Sequence, residues 1–215
     1  MMFKAILFTQ WKWGRLLLLL ATLAGFAIPL LSVQGLTTTY GNFYVVTSLQ
    51  AFGIAYPLLA GAAGLLLSLS AWTSDHRGRH VYALSLPVAR WRYVLMRYQS
   101  GLVLLLLPML GIWLGAILAT RFIHIPPGLH PYASSLALRF ALSAALAYTA
   151  FFAISSGTPR TAGIVLGIAA VLVAIQVLAS AAGFDFNLLK PVFDRLFIWP
   201  GPFEIFTGRW MLLDV

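Results

Sequence analysis

The sequence contains no cysteine, which excludes a disulfide framework, a thiolate metal site and a thiol nucleophile. Charge is scarce as well: 9% of residues are Asp, Glu, Lys or Arg, and only five of the 215 are acidic. So few carboxylates leave little from which to build a proton or sodium relay inside a membrane, or an enzyme working by paired acid and base groups. The phosphate-cradling pattern G-x-x-x-x-G-K-[ST] is missing, so the chain binds no nucleotide through a P-loop of its own. Neither a G-x-S-x-G elbow nor an H-E-x-x-H pair occurs. His76 and His80 stand four residues apart, but Gly78 intervenes and Asp75 is the only nearby carboxylate; His124 and His130 flank the separate segment "IPPGL". Two isolated pairs do not make a metal site, and no cofactor is expected.

What the chain has is apolar surface. It is 61% hydrophobic and 14% aromatic, with a mean hydropathy of +0.91, more than a soluble domain of this size can bury. Five runs, at 16–33, 51–72, 101–119, 140–156 and 162–183, are long enough to cross a hydrocarbon core of roughly 30 Å at about 1.5 Å per residue. The expected fold is therefore an all-α polytopic integral membrane protein in one transmembrane domain over 1–215, with membrane lipids as its solvent. The first run is longer than a signal-peptide core and no A-x-A site follows it, so it reads as a retained span. The net charge of +9 does not imply a nucleic-acid partner, because the basic residues sit at the ends of spans rather than on one solvated face.

Their distribution sets an expected topology. With the N-terminus in the cytoplasm, Lys4, Lys12, Arg15, Arg77, Arg79, Arg90, Arg92, Arg97 and Arg160 lie inside, whereas Arg121, Arg139, Lys190, Arg195 and Arg209 lie outside. The excess inside favours this orientation, and an odd number of spans then puts the C-terminus outside. Segment 1–15 places Phe3, Leu7 and Trp11 at four-residue spacing. That pattern suits a helix lying in the inner headgroup layer, and equally the basic flank of a first span. The tail 184–215 is aromatic-rich and broken by Pro191, Pro200, Gly201 and Pro202; no stretch of it reaches spanning length, so short interfacial or re-entrant helices are expected on the outer side.

Within the spans, Arg139 is the one ionisable candidate for a pathway, with snorkelling to the interface as its plainer role; Gln176 and Ser180 add uncharged polarity. Small residues recur at close-packing intervals: Gly111 with Gly115, Gly163 with Gly167, and Ala60, Gly64 and Ser68. Such spacing lets helix backbones approach without choosing the partner.

Against this background the inner loop 74–99 is conspicuous for five arginines. Val81, Leu84 and Val88 recur at helical spacing, and Trp91 continues the pattern beyond Pro87. Proline disfavours helix in itself and in the residue before it. Leu86 and Pro87 should therefore separate two short helices, the second carrying Arg90, Arg92 and Arg97 into the third span. An element apolar on one side and basic on the other suits docking of a soluble partner; the plainer alternative is a loop that only fixes topology.

The stretch "GRHVYALSLPVARWRYVLMRY" resembles the segment between the second and third spans of ABC-2 type transporter permeases, where Gly-Thr-x-Glu precedes Leu-Leu-Ser-Leu-Pro-Val-Ser-Arg. Gly78, Leu84, Ser85, Leu86, Pro87, Val88 and Arg90 match; Arg79 replaces the threonine, Val81 the glutamate and Ala89 the second serine. The resemblance implies a permease half in the inner membrane of a bacterium. Its coupling loop, here Gly78, Val81, Leu84, Leu86, Pro87, Val88, Arg90 and Arg92, would seat in a cytoplasmic P-loop ATPase subunit. A second permease subunit, identical or paralogous, would complete the pathway, with the first and fifth spans and Gly163 and Gly167 at the shared face. The family enters a sixth span where this sequence stops, which leaves a shortened permease, an incomplete chain or an accessory subunit as readings. The rival from another class is a non-transporting scaffold subunit of a larger complex; a secondary transporter is disfavoured by the scarcity of membrane acids.

Overall fold

A computed structural model describes residues 2–33, 49–50, 52–77, 89–122, 125, 128–157, 159–183 and 189–214. Among them lie six α-helices: α1 Met2–Val33, α2 Ala55–Arg77, α3 Arg90–Phe122, α4 Ala133–Ser155, α5 Pro159–Ala181 and α6 Lys190–Phe197. A 3-10 turn at Glu204–Phe206 and two short strands, β1 His130–Pro131 and β2 Leu213–Asp214, complete the elements. Helices α1 to α5 each contain a stretch long and apolar enough to cross a membrane, so the chain is an all-α polytopic integral membrane protein. The chain forms two compact units, one of residues 1–152 with 209–215 and one of residues 153–208.

In the first unit α1 packs most extensively against α3, and each contributes one stripe. On α1 the stripe is Gln10, Gly14, Leu18, Ala21, Gly25 and Pro29; on α3 it is Arg97, Gly101, Leu104, Pro108, Gly111 and Gly115. Spacings of three and four keep each set on one helical face. Segment 2–15 belongs to the same helix. It continues the span without a break, because Gln10 and Gly14 belong to the same buried stripe as the apolar residues that follow. At 32 and 33 residues, α1 and α3 measure about 50 Å, well beyond a hydrocarbon core of roughly 30 Å. Both therefore carry headgroup-level or aqueous turns.

The close contacts fix the directions of the four helices. A Cβ on Gly25 of α1 would lie 2.9 Å from Ile112 Cγ1 and 3.1 Å from the Pro108 carbonyl of α3, while Gln10 meets Arg97 at the other end, so α1 and α3 run parallel. On α2, Trp72 packs on Phe152 of α4 with ring centres 5.2 Å apart, and Gly64 lies beneath Ala144, Ala147 and Tyr148; α2 and α4 are parallel as well. Gly14 near the start of α1 faces Leu67 and Ser70 near the end of α2, so the two pairs are antiparallel, as successive membrane crossings require. At the end where α4 begins, β1 pairs antiparallel with β2, His130 opposite Asp214 and Pro131 opposite Leu213. Beside this pair Trp210, Met211, Leu212 and Leu213 are all buried.

The second unit contains α5, α6 and the 3-10 turn. Phe193, Phe197, Phe203 and Phe206 form a run of ring contacts at centroid distances of 4.8, 5.5 and 6.1 Å. Thr207 Oγ1 lies 2.9 Å from the Glu204 carbonyl and 3.1 Å from the Phe197 carbonyl of α6, and its one proton serves either.

Candidate functional site

Of the coupling-loop residues, Gly78, Val81, Leu84, Leu86, Pro87 and Val88 lie outside the described residues. The segment emerges at Ala89, whose carbonyl accepts from Arg92 N–H at 2.9 Å and Tyr93 N–H at 3.2 Å, and α3 then runs unbroken to Phe122. Arg90 and Arg92 are exposed on its first turn. Trp91 is 63% exposed, and the Arg92 guanidinium lies 5.2 Å from its ring centre. The first turn of α3 thus presents two cations and an indole outward, with the next buried residue at Tyr93.

One turn further in, the arginines change role. Arg97, expected among the loop charges, is 3% exposed. Its guanidinium lies 5.1 Å from the Trp72 ring of α2 and 5.3 Å from the Tyr93 ring, and Nη1 donates to Tyr93 Oη at 2.5 Å. Two aromatic faces stabilise a desolvated cation through their quadrupoles, which is why this charge is tolerated inside the bundle. Arg97, not only Arg139, is therefore an ionisable residue held within a spanning helix.

The backbone at Arg97 is bonded to a second helix. Gln10 Nε2 of α1 donates to the Arg97 carbonyl at 3.0 Å, and Ser100 Oγ stands 2.8 Å from the same oxygen. Ser100 Oγ also meets Gln10 Oε1; with one hydroxyl proton it serves one acceptor at a time. Gln10 and Ser100 are fully buried. The fourth helix closes the cluster. Tyr148 of α4 stacks on Tyr98 at 5.6 Å, Phe152 packs against both rings, and Tyr98 Oη and Thr149 Oγ1 are hydrogen-bonded at 2.7 Å. Gly101 is required there, because a Cβ would overlap the Tyr148 ring.

This cluster ties α1, α2, α3 and α4 together at the end from which the loop emerges. Gln10, Arg97, Ser100, Tyr148 and Trp72 thus hold the four helices in position.

The small-residue pairs separate clearly. A Cβ on Gly111 would lie 2.5 Å from the Thr22 carbonyl, and one on Gly115 would overlap the Phe26 carbonyl; both glycines therefore admit the backbone of α1 against α3. Within the second unit, no atom comes within 4 Å of a Cβ placed on Gly163 or Gly167. Arg139 sits near the start of α4, Nη1 donating to the Arg209 carbonyl at 2.6 Å and the guanidinium 4.9 Å from the Trp210 ring centre. It anchors the returning chain end to α4.

Comparison with protein-family models, curated protein sequences and solved structures returned no match.

Proposed function

We propose that this chain is the transmembrane permease subunit of an ABC-2 type exporter, working with a separate cytoplasmic P-loop ATPase and a second permease subunit. The observation that carries the proposal is the path of α3. The helix leaves the permease-like segment at Arg90 with two arginines and a tryptophan exposed. Seven residues later it is joined to α1, α2 and α4 through Arg97, Ser100 and Tyr98. A push on the loop would therefore move a rigid helix already locked to three others, which is what energy coupling from an ATPase needs.

In this reading Leu84, Leu86 and Val88 seat in an apolar groove of the ATPase while Arg90 and Arg92 steer and pair with its acidic rim. The basic excess at the loop end of the bundle favours a cytoplasmic N-terminus and loop. Five spans in one copy enclose too little to form a sizeable pathway, so two permease halves make the working unit.

The test is purification of the tagged chain from native membranes in mild detergent, followed by native mass spectrometry. The expected particle holds two permease subunits and an ATPase carrying G-x-x-x-x-G-K-[ST]. A scaffold role is favoured by Val81 standing where the permeases carry a glutamate, and it predicts a stable assembly with no ATPase. A particle of that kind would reject the permease reading.

A further inference from the structure

At the end of the first unit opposite the Arg97 cluster, a cavity of about 190 Å³ is lined by Tyr132, Ser135, Leu136, Arg139, Arg209 and Met211. Two of these side chains are guanidinium cations, two carry hydroxyls, two are apolar and, among the described residues, none of the lining is acidic. Arg139 does not extend freely toward water: its guanidinium lies on the buried Trp210 ring and is hydrogen-bonded to the Arg209 carbonyl. Trp210 in turn stacks on Tyr56 of α2, 6.3 Å away and nearly parallel. That carbonyl bond also sets the backbone of the second arginine, while the Arg209 side chain itself is exposed. Tyr132 is held by its N–H to the Leu212 carbonyl at 2.9 Å. The chain end and the start of α4 thus build one wall each of the same cavity.

We infer that this cavity is a binding site for the phosphate of an anionic phospholipid headgroup. Two guanidinium groups lining one cavity can converge on a single anion. Guanidinium groups match phosphate oxygens with paired N–H donors, and hydroxyls supply further donors. The cavity holds the volume of about six waters at roughly 30 Å³ each, enough for a phosphate with adjoining polar atoms. Arg139 is six residues into the 23-residue α4, about 9 Å along it, close enough to the end of the span for a long side chain to reach the headgroup layer. Leu136 and Met211 give the lipid's glycerol and upper chain an apolar wall. A headgroup bound here bridges α4 and the returning chain end, so lipid occupancy stabilises the β1–β2 closure. The inference stands independently of the permease reading.

The test compares thermal unfolding of the full chain in a neutral detergent with added phosphatidylglycerol, phosphatidylcholine or inorganic phosphate. Phosphatidylglycerol should raise the midpoint in a saturable way and phosphatidylcholine, whose choline cation meets two arginines, should raise it less. Arg209→Gln, which keeps the backbone carbonyl that Arg139 uses, should weaken the phosphatidylglycerol effect about tenfold in concentration while leaving the lipid-free midpoint near wild type. Tyr132→Phe removes only a hydroxyl and should give a smaller weakening in the same direction. Equal stabilisation by both lipids, or an unchanged response in both variants, would overturn the inference. Full stabilisation by inorganic phosphate alone would reassign the site to a free anion and reject the lipid.

Discussion

Replacing Gly101 by alanine loads one methyl group onto the junction that ties the helices together below the loop. A Cβ there overlaps the Tyr148 hydroxyl and Cζ and lies 2.9 Å from Cε2. Tyr148 is fully buried, stacked on Tyr98 at 5.6 Å and tilted against Phe152 at 5.4 Å, so the ring has little adjacent space to take. Overpacking costs about 1–3 kcal/mol, and pulling the displaced ring away from Tyr98 and Phe152 costs about 1 kcal/mol for each pair. The sum, roughly 3–5 kcal/mol, lowers the unfolding midpoint of a chain this size by about 6–20 °C. Circular dichroism during heating in detergent reads this directly. Tyr148→Leu alone leaves a void and costs about 2–3 kcal/mol. It also removes the atoms that the new methyl would strike, so the double variant should be more stable than the sum of the singles by more than about 1 kcal/mol. Strict additivity, or a Gly101→Ala protein that unfolds like wild type, would refute the packing argument.

The other junction contacts give graded expectations. Gln10→Leu breaks the bonds between α1 and the Arg97 turn and should cost about 1 kcal/mol, in the range of interhelical hydrogen bonds in membranes, by the same thermal assay. Arg97→Lys keeps the charge but loses the planar face over Trp72 and Tyr93, with an expected loss of about 1–2 kcal/mol. Gly115→Leu forces α1 from α3 and should destabilise by about 3 kcal/mol or more, whereas Gly167→Leu, in open space within its unit, should change the isolated chain by less than about 0.5 kcal/mol. Single cysteines introduced into the cysteine-free chain test orientation: a cysteine at Arg79 should react with an impermeant maleimide only after the inner face is opened, and labelling in sealed cells would contradict a cytoplasmic loop.

The spans were legible because hydropathy over some twenty residues is a strong signal, and helix formation into the third span followed from the arginines and Trp91 lying beyond Pro87. Arg97 was not legible as a buried residue. It stands close behind Arg90 and Arg92, and its charge invites grouping with theirs. The signal that separates it is register: Arg97, Gly101, Leu104, Pro108, Gly111 and Gly115 continue one stripe at spacings of three and four, whereas Arg90 and Arg92 precede it. The same register carries Gln10 and Gly14 into the stripe of α1, although Phe3, Leu7 and Trp11 suggest a surface helix. The burial of Trp210 to Leu213 had no local signal, because it depends on pairing with a strand some 80 residues earlier in the chain.

In the proposed function, ATP hydrolysed by a separate subunit drives this chain through the loop ahead of α3. The most direct measurement is ATP hydrolysis by the complex isolated on the tagged chain, compared between wild type and the Leu84→Ala, Val88→Ala double variant in reconstituted membranes. Truncating two apolar anchors costs about 2 kcal/mol or more each where they seat in a pocket. Hydrolysis coupled to the permease should therefore fall by at least about tenfold, with membrane insertion unchanged and with a smaller, salt-dependent loss for Arg92→Ala. Hydrolysis at the wild-type rate in the double variant, or a complex with no ATPase in it, would contradict the claim.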